Sequence, residues 1–220
     1  MPAESGKIGA KLKNRSIVNF RKASMKNVDT KKIRKAMEKV QDESRYEHTL
    51  GVTYTATALA MCHNCDLHSA EIAGLLHDCA KCMDNAKKIQ ICEKHHIPVN
   101  DVERKNPSLL HAKAGSFIAM DTYGITDTDI INAILNHTTG RPNMSLLEKI
   151  IYIADYIEPN RKKAPNLSEI RRIAFLDLDK ALLMILSDTL TYLTAGGGEI
   201  DPMTRKAFEY YQAKAKQQER

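Results

Sequence analysis

An apolar run of helical spacing that ends on two metal-capable side chains constrains this chain more than any other feature. Ser69-Ala70-Glu71-Ile72-Ala73-Gly74-Leu75-Leu76 leads directly into His77-Asp78. Ala70, Ala73 and Leu76 are spaced three apart, and Ile72 and Leu75 flank the same stripe, which predicts a buried helix. On adjacent helical positions the imidazole and the carboxylate point about 100° apart. They can converge on one ion only where the helix ends or where another helix crosses it. Imidazole nitrogen with carboxylate oxygen suits a borderline or hard divalent metal. Alone, the pair is equally a core histidine beside a capping aspartate, so the rest of the chain must decide.

Segments of helical period dominate that rest, and Val-rich alternating runs are missing, so the expected fold class is all-α. With 220 residues, no Trp and 5% aromatics, the core must be built from Leu, Ile, Ala and Met in one domain. A first helix is predicted over Thr30 to Val40. The next carries His48, Val52, Thr55 and Leu59 on one face, with Gly51 and small residues for close packing. A short helix spans Lys87 to His95, and Asn106-Pro107 opens another that holds His111 in its first turns. Thr126 or Asp127 caps Asp129 to His137, which Gly140 stops. The Ser145-x-x-Glu148 capping box opens Leu146 to Ile157, and Glu158-Pro159 ends it. Helices over Leu167 to Phe175 and Leu178 to Leu193, and one capped by Asp201-Pro202, complete the chain. No apolar run is long enough to cross a bilayer.

The net charge of +6 suggests nucleic acid until it is located. Residues 1–24 hold six basic side chains against Glu4 alone, which accounts for all but one of the net positive charges. The expected organisation is therefore a basic, disordered extension over 1–24 and a nearly neutral domain over 25–220. A nucleic-acid partner could act only through the extension. Cys62-x-x-Cys65 and Cys79-x-x-Cys82 resemble a four-thiolate zinc pattern, but an intervening helix holds the pairs about 18 Å apart, too far for one ion. Scattered thiols, with Cys92 as an odd fifth, fit a reducing cytoplasm.

Six polar residues fall on otherwise apolar helical faces: His48, His77, Asp78, His111, His137 and Asp155. Asp155 sits within Ile150-Ile151-Tyr152-Ile153-Ala154-Asp155-Tyr156-Ile157, where a carboxylate needs a cation or several donors. One shared metal site explains six such residues on five helices better than six separate core contacts.

In this order the residues resemble the HD-domain phosphohydrolase superfamily. The resemblance is closest to its YqeK-type branch of symmetrical dinucleoside tetraphosphatases. It is carried by Arg45-x-x-His48, Gly74-Leu75-Leu76-His77-Asp78-x-Ala80-Lys81, Leu110-His111, His137-Thr138-Thr139-Gly140 and Ile153-Ala154-Asp155-x-Ile157-Glu158-Pro159-x-Arg161. It covers nearly all of the body and none of residues 1–24. It implies a single helical bundle with a central metal site and hydrolysis of diadenosine tetraphosphate to two ADP. The implied cofactor is one or two iron ions, with manganese as another candidate metal. His48, His77, Asp78 and Asp155 are the implied ligands, and His111 and His137 either complete a second metal position or bind phosphate. Phosphoanhydride hydrolysis needs an activated water and charge neutralisation, and a divalent metal serves both needs. Asp78 would bridge if there are two ions. Lys81, Arg45 and Arg161 are placed to grip phosphates. The Gly197-Gly198 stretch could approach an adenine. The competing expectations are another nucleotide phosphohydrolase of the superfamily, acting on a deoxynucleotide or signalling nucleotide, and a non-catalytic, RNA-associated metalloprotein.

Overall fold

A computed structural model describes residues 28–218. The expected basic extension over residues 1–24 lies outside them. Within them the chain forms eleven α-helices and no strand: α1 Thr30–Val40, α2 Glu43–Cys62, α3 Leu67–Leu76, α4 Asn85–Lys94, α5 Asp101–Lys105, α6 His111–Asp121, α7 Thr128–Asn136, α8 Leu146–Ile157, α9 Leu167–Ala174, α10 Leu178–Ala195 and α11 Pro202–Gln218. A 3₁₀ turn, Pro107–Leu110, leads into α6.

The helices start where short acceptor side chains occupy their orphan N–H groups. Asp42 accepts from Arg45, Asp66 from Ser69, and Asp127 from Asp129 and Ile130. The Ser145–Glu148 capping box forms in full. Gly140 ends the α7 segment at φ +65°, donating its N–H to the Asn136 carbonyl at 2.8 Å. No helix is predicted over residues 101–105, yet α5 forms there. Its five residues show no apolar period. What holds it is a second capping box, Asn100 with Glu103, and Lys113 pins Glu103 from α6 at 2.7 Å.

The core lies where α2, α3, α7 and α8 meet, extended by α10. Val52 and Leu59 of α2 pack with Ile72, Leu75 and Leu76 of α3, Ile130 and Ile134 of α7, Ile150, Ile151 and Ile153 of α8, and Leu182 and Ile185 of α10. The α2–α3 pair is the tightest joint, for a reason visible at Gly74. A Cβ there would stand 2.8 Å from the Thr53 Cα, so only glycine lets the two backbones approach. That approach holds the end of α3, and therefore His77-Asp78, against α2.

Gly74→Ala must push α2 away from α3, and should destabilise the fold by about 1–3 kcal/mol. Gly198→Ala, which meets nothing closer than 4.0 Å at an ordinary φ, should be neutral. Urea unfolding of both variants checks this. Equal stabilities would show that the α2–α3 joint is not tight.

Candidate metal centre

Helix ends carry most of the centre. His77 follows the last turn of α3 and His137 follows that of α7; each is the C-cap of its helix. His111 opens α6, whereas His48 and Asp155 lie within α2 and α8. Two helix C-termini thus direct their negative ends at one place, which favours a cation there.

Three of the rings are held by one repeated device. His77 donates from Nδ1 to the Gly74 carbonyl, His111 to that of Ser108, and His137 to that of Ile134, each at 2.7 Å and each three residues back. His48, inside a helix, donates instead to the Glu158 carboxylate at 3.2 Å. Carbonyls and carboxylates only accept, so every Nδ1 carries the proton and every Nε2 of a neutral ring presents a lone pair. All four Nε2 atoms face Asp78. His111 and His137 stand 3.2 and 3.5 Å from its Oδ1, and His77 and His48 stand 3.6 and 4.0 Å from its Oδ2. The His48 Nε2 is also 3.1 Å from Asp155 Oδ1.

Lone pairs gathered in this way repel unless a cation lies among them. The Nε2 atoms of His111 and His137 are only 3.1 Å apart. His48 Nε2, His77 Nε2 and Asp78 Oδ1 are buried without a hydrogen-bond partner. Two groups of ligand atoms are close enough to hold a metal ion each: His48, His77 and Asp78, and Asp78, His111 and His137. The donor set, imidazole nitrogen with carboxylate oxygen, fits a divalent ion, and Asp78 belongs to both groups.

The electrostatics keep the site ready to ligate. Burial pulls the His77 imidazole down to about 4, so its ring is neutral near neutral pH. Burial also lowers His111; it pulls His137 the same way, but there the Asp78 and Asp155 carboxylates together with the Ile134 carbonyl outweigh it and raise the ring. Burial alone would raise the Asp78 carboxyl, but the surrounding His77, His111 and His137 rings together outweigh it and hold Asp78 well below the usual carboxylate range. Burial pushes Asp155 upward, but the neighbouring His48, His77 and His137 rings outweigh it and lower its carboxyl.

The structure brings together all six polar residues singled out on apolar faces. Asp155 departs from the expectation of a fully buried carboxylate. A quarter of its side chain is exposed, and it lines a cavity of about 520 Å³ that also touches His137, Thr138, Tyr152, Tyr156 and Tyr192. Arg45 bonds Asp78 Oδ2 at 2.8 Å, and Arg161 bonds Asp155 at 3.2 Å, so both already compensate ligand carboxylates. The Lys81 ammonium lies 3.4 Å from His111 Nε2. Gly197 and Gly198 are exposed and do not line the cavity.

Sequence reasoning gave Glu158 and Thr138 no role, and read Gly51 only as a close-packing position without its partner. Glu158 is buried, and its Oε2 accepts from the Asn160 N–H at 2.7 Å while its Oε1 fixes His48. A Cβ on Gly51 would come within 2.5 Å of that Oε2, so Gly51 makes the space for the carboxylate. The signal was the three-residue spacing from Asp155, which places both carboxylates on one face. Thr138 Oγ1 lies 3.2 Å from the Nε2 atoms of both His111 and His137.

Glu158→Gln keeps the shape but weakens the hold on His48, and Gly51→Ala displaces the same carboxylate. Each should lower divalent-metal affinity about 10–100-fold, the usual effect of removing a group that orients a ligand. Calorimetric titration of stripped protein measures it, and affinities within twofold of wild type would remove Glu158 from the site.

Comparison with known proteins agrees with this geometry. A profile of the HD domain matches residues 45–160, a span that begins at Arg45 and takes in every ligand candidate. A protein of Bacillus subtilis (strain 168) named symmetrical bis(5′-nucleosyl)-tetraphosphatase is 41% identical over 74% of this chain and 86% of its own length. One of the same name from Halalkalibacterium halodurans is 44% identical over 74% and 86%. The crystal structure of an HD superfamily hydrolase of Clostridium acetobutylicum, described as involved in NAD metabolism, superposes with a TM-score of 0.81 at 45% identity, covering 84% of this chain and 98% of that one. With its helical fold, its ordered histidine and aspartate set and these likenesses, the chain belongs to the HD domain family.

Proposed function

We propose that the protein hydrolyses diadenosine tetraphosphate at its central phosphoanhydride bridge, releasing two ADP. The observation that carries this is the paired ligand set around Asp78, opening onto a cavity large enough for a nucleotide, in a chain whose relatives bear the tetraphosphatase name. The reaction adds one water. Its oxygen bonds to one inner phosphorus, the bridging oxygen leaves with the other ADP, and the two protons of the water pass to the new terminal phosphates or to solvent.

The residues that would hold the metal are His48, His77, Asp78 and Asp155 on one side and Asp78, His111 and His137 on the other, with iron as the proposed ion. A divalent ion in such a site lowers the pKa of water and draws charge off phosphoryl oxygens. The protein's own groups do the rest. The departing ADP is already an anion, so the site needs charge compensation more than a strong acid. Lys81, beside His111, supplies a positive charge at that edge. Arg45 and Arg161 hold Asp78 and Asp155 in position, and both can share donors with phosphate. Tyr156 and Tyr192 present aromatic surface along the cavity, the part assigned from sequence to Gly197 and Gly198. Lys163, at the same cavity, adds a cation that sequence reasoning did not single out.

Among the described residues no helix is long and apolar enough to cross a membrane. All five cysteines are free thiols, which supports a reducing cytoplasm as the proposed compartment.

The test is product identification from a panel of diadenosine tetraphosphate, NAD and deoxynucleoside triphosphates in water enriched in oxygen-18. ADP should be the sole nucleotide product, with the label in one of the two molecules. Lys81→Ala should lower turnover by roughly 2–4 kcal/mol of transition-state stabilisation. AMP and ATP in equal amounts would overturn the symmetrical cut. Triphosphate released from a deoxynucleotide, with dinucleotides untouched, would move the protein to a different nucleotide substrate.

A further inference from the structure

We propose that a second cavity, of about 380 Å³, receives the other nucleoside diphosphate arm of the substrate, on the far side of a shared wall from the 520 Å³ cavity. This rests on the dinucleotide assignment above and adds to it a binding site for the leaving half. The two cavities share four lining residues, Leu109, Thr138, Thr139 and Asp201, so they are the two sides of one ridge. Thr138 places that ridge at the chemistry, since its hydroxyl is 3.2 Å from both His111 Nε2 and His137 Nε2.

Symmetry supplies the need for two cavities. Cutting a chain of four phosphates at its middle puts equal arms on either side of the reacting bridge, and one cavity accounts for only one arm. A volume of 380 Å³ falls within the range of small-ligand sites. The lining is preorganised. Lys113 is tied to Glu103 at 2.7 Å and to the Pro98 carbonyl at 2.6 Å, Asn136 to Glu148 at 2.8 Å, and Asn100 to Asp201 at 2.7 Å. Lys206 differs from these neighbours. It is exposed on α11, and among the described residues it makes no ion pair or side-chain hydrogen bond. It is the cation of this cavity left available to a phosphate. Met203, 39% exposed one turn earlier, offers a polarizable face to a base. The two cavities therefore divide the work. The larger, tyrosine-lined one holds one nucleoside, and the smaller one holds the arm that departs.

Met203→Trp, which fills the smaller cavity, and Lys206→Glu, which reverses its free charge, test this on two exposed positions outside the metal centre. Each should raise KM for diadenosine tetraphosphate about tenfold or more, the scale of losing one charged contact. KM for adenosine 5′-tetraphosphate, which has one nucleoside arm, should change by less than about twofold, because it fills the larger cavity alone. Equilibrium dialysis should find two ADP bound per metal-loaded wild-type chain and one in each variant. Equal changes for both substrates, no change for either, or a single ADP in wild type would overturn the second site. Two bound ADP in a wild type that leaves dinucleotides intact would keep the second site and reject the tetraphosphatase assignment.

Discussion

A buried carboxylate without enough positive charge around it is among the most costly things a fold can contain, and Asp78 is buried with only 4% of its side chain exposed. Arg45 supplies one compensating charge at 2.8 Å. The remaining neighbours are four imidazoles whose lone pairs point inward, and these offer no charge while neutral. The arrangement becomes favourable when divalent ions stand between Asp78 and the rings. Metal binding should therefore contribute directly to the stability of the bundle, because α2, α3, α6 and α7 each deliver a ligand to the same carboxylate and α8 adds Asp155 beside them.

The fold serves this by ending helices at the centre. A C-cap histidine has an upstream carbonyl of its own last turn within reach, which fixes the ring and its tautomer without a further residue. His77 and His137 use that geometry, and His111 reproduces it with the 3₁₀ turn before α6. His48 lies inside α2, so a carboxylate from beyond α8 must orient it, and Gly51 leaves the room that Glu158 occupies. The same close packing links stability to chemistry at Gly74, which sets the α2–α3 distance and lends its carbonyl to His77.

The cluster of candidate ligands was legible in the sequence because polar residues on apolar helical faces stand out against a regular period, and the structure brings His48, His77, Asp78, His111, His137 and Asp155 together. The helical class was legible for the same reason, helped by capping residues such as Ser145 and Asp127. What stayed hidden depends on distance in space rather than spacing in sequence. Gly51 and Glu158 are 107 positions apart, and nothing local marks them as partners. Helix α5 has too short a span for a period, although its Asn100–Glu103 capping box could have been read. Asp155 looked buried because its helix is apolar, but a cavity opens beside it. Arg45 and Arg161 looked free for phosphate, yet each is held by a ligand carboxylate, as cations beside buried acids generally are.

In the site proposed here Asp78 is shared by two metal positions. Metal content of the purified protein, measured by inductively coupled plasma mass spectrometry for wild type and for Asp78→Asn, tests it most directly. The substitution preserves shape and removes the charge, and circular dichroism confirms the fold. The account predicts about two divalent ions per wild-type chain, with both positions depleted together in the variant. An Asp78→Asn protein that keeps the wild-type metal content would contradict it.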